Sequence, residues 1–211
     1  MPTGRELFVV PDLKIEPGER VLIQGASGRG KTTLLHLIAG LFLPSEGVVE
    51  IGGNRLTTLN DDERCELRRA QFGIVFQKLN LLEHLTASEN VELALPKSLP
   101  SGKGTGRDEI VAAALKSVKM TDHADDRAAT LSLGEQQRVA VARVLAAKPA
   151  IILADEPTSS LDDENAEFVM SALLEAASPK QGQARTLVVV SHDARVKKSF
   201  QRIINFSEWA R

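Results

Sequence analysis

The stretch Gly25-Ala26-Ser27-Gly28-Arg29-Gly30-Lys31-Thr32 constrains this chain more than any other. It fits the pattern G-x-x-x-x-G-K-[ST], directly after the apolar run Val21-Leu22-Ile23 and directly before a helical pattern. A strand must therefore hand the chain to a helix through a loop whose glycines let successive backbone N–H groups turn toward one point. Such a point, at a helix N-terminus, carries positive potential and suits a phosphate. Lys31 is placed to reach terminal phosphates, and the Thr32 hydroxyl to ligate Mg²⁺, with Thr33 beside it in the first helical turn. Gly25 through Thr33 are thus candidate phosphate contacts, and Arg29 reads as a solvated, variable position within them.

The surrounding pattern suits an α/β fold, a phosphate-loop core with a mainly parallel sheet, a small antiparallel portion and an inserted helical subdomain. Strands are expected over Leu7 to Ile15, Arg20 to Gln24, Gly47 to Ile51, Gly73 to Gln77, Ala150 to Ala154 and Thr186 to Val190. Helices are expected over Thr32 to Ala39, Glu63 to Gln71 and Asn165 to Ala177. Between Lys78 and Lys148 the character turns helical and Leu/Ala-rich, broken by the connection Pro100 to Gly106. One domain is expected, its core about 1–78 and 149–211 and its helical subdomain about 79–148.

The balance of 26 basic and 28 acidic residues argues against a strongly basic nucleic-acid binder, and no nucleic-acid partner is expected. Cys65 is the only cysteine, so no internal disulfide can form and a reducing compartment is expected. The opening Met1-Pro2-Thr3-Gly4-Arg5-Glu6 does not read as a signal peptide. The most apolar stretch, Val139 to Ala154, is interrupted by Arg143, Lys148 and Pro149 and is not expected to span a bilayer.

Ile151-Ile152-Leu153-Ala154-Asp155-Glu156 supplies a second half-site: a buried strand that presents adjacent carboxylates at the sheet edge where ligands bind. Asp155 would hold the Mg²⁺ and Glu156 would polarise an attacking water. Leu131-Ser132-Leu133-Gly134-Glu135-Gln136-Gln137-Arg138 has a local reading as a capping box, with Ser132 at the cap and Glu135 returning to its backbone N–H.

That octet, lying before Asp155-Glu156, also resembles the L-S-G-G-Q signature of the ATP-binding cassette (ABC) family. The resemblance covers nearly the whole chain. Gln77 after Ile74-Val75-Phe76 resembles the family's Q-loop, Ser160-Leu161-Asp162 its D-loop, and His192 in Val190-Ser191-His192-Asp193 its switch histidine. The resemblance implies ATP and Mg²⁺ as cofactors, with Thr32, Gln77 and Asp155 at the metal and Lys31, Glu156 and His192 in catalysis. It further implies a head-to-tail dimer in which Ser132 and Gly134 of one copy meet the nucleotide of the other, with Asp162 at the interface.

Glu66-Leu67-Arg68-Arg69 and the segment Leu79 to Val91 look most like the branch of lipoprotein-release, macrolide-export and cell-division ATPases. That likeness implies an integral membrane permease subunit as partner and a cytoplasmic place at the inner face of the membrane. The function implied is export or release; the alternative is a switch that signals through a membrane partner to an extracytoplasmic enzyme. The leucines of 79–85 are expected to line a partner groove, to form core, or both. A DNA-repair head of the same fold is disfavoured, because no long heptad array or Cys cluster occurs.

Two departures stand out. Leu133 replaces the first signature glycine and Glu135 the glutamine, so a carboxylate is expected near a phosphate unless it turns back onto the cap. Only six residues precede Leu7 and the chain has no tyrosine. The family's first strand and adenine-stacking aromatic are therefore expected to be missing, with Phe8 in the core.

Overall fold

The computed structural model describes residues 7–96, 99, 106–178 and 185–209. Its main sheet has five parallel strands in the order β4-β5-β6-β1-β7: β1 Arg20–Gln24, β4 Phe72–Val75, β5 Ile151–Asp155, β6 Thr186–Ser191 and β7 Arg202–Asn205. A two-stranded antiparallel sheet pairs β2 (Glu50–Ile51) with β3 (Asn54–Arg55). The mainly parallel α/β architecture with a small antiparallel part is thus the one expected.

Side-chain alternation along the strands sorts the core into two layers. Leu22, Ile152, Ala154, Leu187 and Val189 face one way, toward α5 (Leu133–Ala147) and α6 (Asp163–Ala176). Val21, Ile23, Leu153, Val188 and Val190 face the other, toward Leu34 and Leu35 of α1 (Lys31–Ile38). Because both faces are covered, the inner strands read as unbroken apolar runs. Register then fixes the site: Gln24 pairs with Ser191 and Asp155 with Val190, so β1, β5 and β6 end together at one edge.

The helical segment contains α3 (Ala87–Glu92), α4 (Gly106–Ser117) and α5. α5 packs against β4 and α6 as well as against α3 and α4, so a single helix ties this segment to the sheet. Leu79 is buried and Leu81 partly so against the core, whereas Leu82 is exposed. The leucine run is therefore divided between packing and surface.

Several expected elements differ. Leu7 to Ile15 is not a strand: Leu7 and Val9 are exposed, Pro11 has no N–H to give a ladder, and the Val9 N–H donates to the Trp209 carbonyl. The expected strand from Gly47 shrinks to Glu50–Ile51, because Gly52 and Gly53, both at positive φ, turn the chain straight into β3. The strand expected over Gly73 to Gln77 runs instead from Phe72 to Val75. α2 (Asp61–Gln71) starts two residues early, since Asn60 and Glu63 form a reciprocal capping box. α6 also starts early, capped by Asp162 through the Asn165 N–H. The expected connection over Pro100 to Gly106 lies, apart from Gly106 in α4, outside the described residues.

Candidate nucleotide site

At the shared edge, the loop after β1 is built for close approach. Gly30 has φ 104°, a left-handed conformation that glycine adopts without strain, and caps α1. Ala26, Ser27, Gly28 and Arg29 are exposed, Gly25 half-buried, and Thr32 and Thr33 half-buried in the first turn of α1. Lys31 is buried, and its Nζ donates to the carbonyls of Gly25 at 2.8 Å and Ala26 at 3.0 Å. Its charge also meets Glu156, with Nζ 3.3 Å from Oε1.

Glu156 follows β5 at φ 48°, an unusual place for a non-glycine residue. Its N–H donates to the Val190 carbonyl at 2.8 Å, which locks that turn to β6. Its Oε1 lies 2.8 Å from His192 Nδ1, and its Oε2 accepts from the Ser191 hydroxyl at 3.1 Å and the His192 N–H at 3.2 Å. Two elements thus converge on one carboxylate: the start of α1 through Lys31, and the end of β6 through Ser191 and His192 just after it.

Asp155, the last residue of β5, is buried, and its Oδ1 has no hydrogen-bond partner. Burial raises the Asp155 carboxyl above its ordinary range; the Thr32 hydroxyl opposes that shift, while the Glu156 charge adds to it. A buried carboxylate with one unpartnered oxygen, beside a threonine hydroxyl, is a fitting oxygen donor set for a divalent cation. Gln77 stands two residues beyond β4 in an exposed position.

Ser132, Gly134 and Asp162 are placed elsewhere. Among the described residues, none of them is bonded to the Lys31–Glu156–His192 group. Ser132 is the N-cap of α5 and forms the reciprocal box with Glu135, as its local reading expects. A Cβ on Gly134 would lie 3.3 Å from Asn165 Cγ. Asn165 in turn bridges both regions, donating from Nδ2 to Asp162 at 2.7 Å and accepting from Arg138 at 2.6 Å.

The pattern of a loop, an acid pair and a separate capped helix matches the ABC transporter family over residues 10–159. The chain belongs to the ABC transporter family. It is an ATPase domain of the type seen in two groups of relatives. The macrolide export ATP-binding/permease protein MacB of Burkholderia pseudomallei is 40% identical over 98% of this chain. The chain spans only 31% of that relative's length. The lipoprotein-releasing system ATP-binding protein LolD of Xanthomonas campestris is 39% identical over 93% of this chain and 80% of its own. Among solved structures, the dimeric ATP-binding cassette MJ0796 in a post-hydrolysis state, bound to ADP and Pi, superimposes with a TM-score of 0.87. It is 40% identical, covering 97% of this chain and 89% of that one.

Some residues of this ABC site escaped the sequence reading. Ser191 holds Glu156, yet a serine ending an apolar strand carries no distinctive pattern. Arg195 links the segment after His192 to the D-loop region: it pairs with Asp193 and, at 2.6 Å, with Asp163, while Thr158 donates to Asp193 at 2.8 Å. Asp193 is two residues from Arg195 in sequence, but Asp163 is 32 residues away and is brought to it only by the fold.

Proposed function

We propose that this chain binds Mg·ATP and hydrolyses it within a head-to-tail dimer, driving a separate integral membrane subunit in export or release. The observation that carries this reading is the convergence of Lys31, Ser191 and His192 on the Glu156 carboxylate, beside the orphaned oxygen of Asp155. Gly25 to Thr33 would wrap the phosphates, with Lys31 leaving Glu156 for the β- and γ-phosphates. Thr32, Gln77 and Asp155 would hold Mg²⁺, whose role when bound is to neutralise phosphate charge. Glu156, freed from Lys31, would accept the proton of the attacking water, while His192 keeps it oriented and meets the γ-phosphate.

Ser132 and Gly134 stand apart from this group, which supports assigning them to the nucleotide of a second copy, with Asp162 at the interface. The ADP- and Pi-bound MJ0796 relative is itself dimeric. Among the described residues no helix is long and apolar enough to cross a membrane. In this reading the ATPase therefore acts on the membrane through a permease partner at its inner face, with the segment 79–148 as the subdomain that moves.

Glu156→Gln tests the assignment. The amide keeps the shape but cannot take the proton, so ATP binding persists, turnover nearly vanishes and Mg·ATP holds two copies together in gel filtration. Unchanged turnover removes Glu156 from its role, and a persistent monomer counts against the dimer.

A further inference from the structure

Ser132 has one hydroxyl proton to give, and here it goes to Glu135. The Ser132 hydroxyl donates to Glu135 Oε2 at 2.7 Å, and the Ser132 N–H donates to the same oxygen at 2.8 Å. The other carboxylate oxygen, Oε1, lies 3.5 Å from His123 Nε2. His123 Nδ1 in turn lies 2.7 Å from Asp126 Oδ2. A continuous chain Asp126–His123–Glu135–Ser132 therefore runs from the turn after α4 to the N-terminus of α5. An S-x-x-E capping box needs only its own two residues; the imidazole is an addition from another segment.

His123 is faced by Asp126, Glu135 and Asp122, and Glu135 by His123 and Arg138. Arg138 is itself engaged by Asn165 and lies over the Phe168 ring. Hydrogen bonds from Ser132 hold Glu135 below the ordinary carboxylate range, so it stays charged. The hydrogen bond to Asp126 raises His123 above the ordinary imidazole value; an imidazole is the side chain of this relay whose charge pH can switch. When it is protonated, the Glu135 charge is paired and the positive end of α5 is free to meet an anion. When it is neutral, an unpaired carboxylate stands beside that helix end.

We propose that His123 and Glu135 are positioning residues for Ser132, forming a proton-controlled clasp that opens the N-terminus of α5 to a nucleotide phosphate when the imidazole is charged and closes it when neutral. The proposal rests on the dimer reading above, in which that phosphate belongs to the second copy.

The test measures Mg·ATP-driven dimerisation of Glu156→Gln protein by analytical ultracentrifugation at about pH 6 and about pH 8.5. The dimer is expected to bind about tenfold tighter at the lower pH, since it contains the contact twice at about threefold each. Glu135→Gln, which deletes the charge but keeps the shape, should give the tight dimer at both pH values. His123→Gln should give the weak dimer at both. Opposite shifts of this kind would not arise from a purely structural cap, whose loss weakens both variants alike. The three proteins share every other group, so comparing them isolates the clasp. If both variants keep the parent's pH dependence, the clasp falls and the dimer stands. If no ATP-driven dimer forms at any pH, both fall.

Discussion

At the level of single residues, Ser132 serves two ends, and substitution separates them. Ser132→Ala removes a cap whose loss costs about 1 kcal/mol of stability. In the proposed dimer it also removes a donor to the partner's phosphate, so hydrolysis falls much more than ATP affinity does. A thermal melt beside a turnover assay checks this: lost stability with normal turnover would leave Ser132 only a cap. Leu133 is half-exposed with its side chain in solvent, so Leu133→Gly should keep or raise activity, not lower it. Arg195 supports a second expectation. Its hydrogen bonds to Asp193, with Thr158 adding one, push that carboxyl down to about 2 from its ordinary value. A depressed carboxyl stabilises the fold above its unfolded pKa, and that stability is lost as pH falls toward the folded value. Arg195→Met should therefore lower the melting temperature by a constant amount above about pH 4, with the gap narrowing below it. A gap that is flat with pH would show that Arg195 acts through packing alone. What was legible here was chemistry tied to a local pattern: Lys31, Asp155 and Glu156 follow from a loop and a strand end. Ser191 and Arg195 did not, because their roles exist only once β6 is laid beside β5.

At the level of elements, patterns that depend on one segment were readable and those that depend on two were not. β1, β5 and β6 are apolar runs because the sheet is covered on both faces, and their positions were evident within a residue. β7, an edge strand of alternating exposure, shows no comparable run and was missed. Leu7 to Ile15 reads as a strand by composition, yet Pro11 and the pull of the Trp209 carbonyl prevent a ladder. The contact between β4 and α5 gives a sharp test of packing. A Cβ on Gly73 would lie 2.6 Å from Val144 Cγ1 and 2.7 Å from Pro149 Cγ. Neither neighbour can swing aside, because Val144 is buried in α5 and Pro149 is a ring. Gly73→Ala should thus destabilise by about 1–3 kcal/mol through overpacking. Urea denaturation measures it, and a shift below about 0.5 kcal/mol would mean that α5 can withdraw freely from the sheet.

At the level of the whole molecule, the first and last described segments meet beside the phosphate loop. The Phe8 and Phe206 rings pack edge to face at 5.1 Å, and Phe206 and Trp209 likewise at 5.8 Å. Phe8 also covers the loop: a Cβ on Gly30 would lie 3.0 Å from two of its ring atoms. Its ring is thus committed to Phe206 and Gly30, which argues that it supports the loop instead of stacking on a base. An aromatic stacked on a base contributes roughly 1–3 kcal/mol in single-strand nucleic-acid binders. With Phe8 making no such contact, we expect a nucleotide to be held mainly by its triphosphate and adenine and guanine to be distinguished poorly. ATP and GTP affinities measured side by side should then agree within about threefold, well short of the tenfold or more that stacking of this strength would add. Phe8→Ala should weaken both to the same degree and lower the melting temperature, because it loosens the loop without touching the base. A strong preference for ATP that disappears in Phe8→Ala would instead make Phe8 the stacking residue, and the packing of its ring against Gly30 would then describe a state that nucleotide displaces.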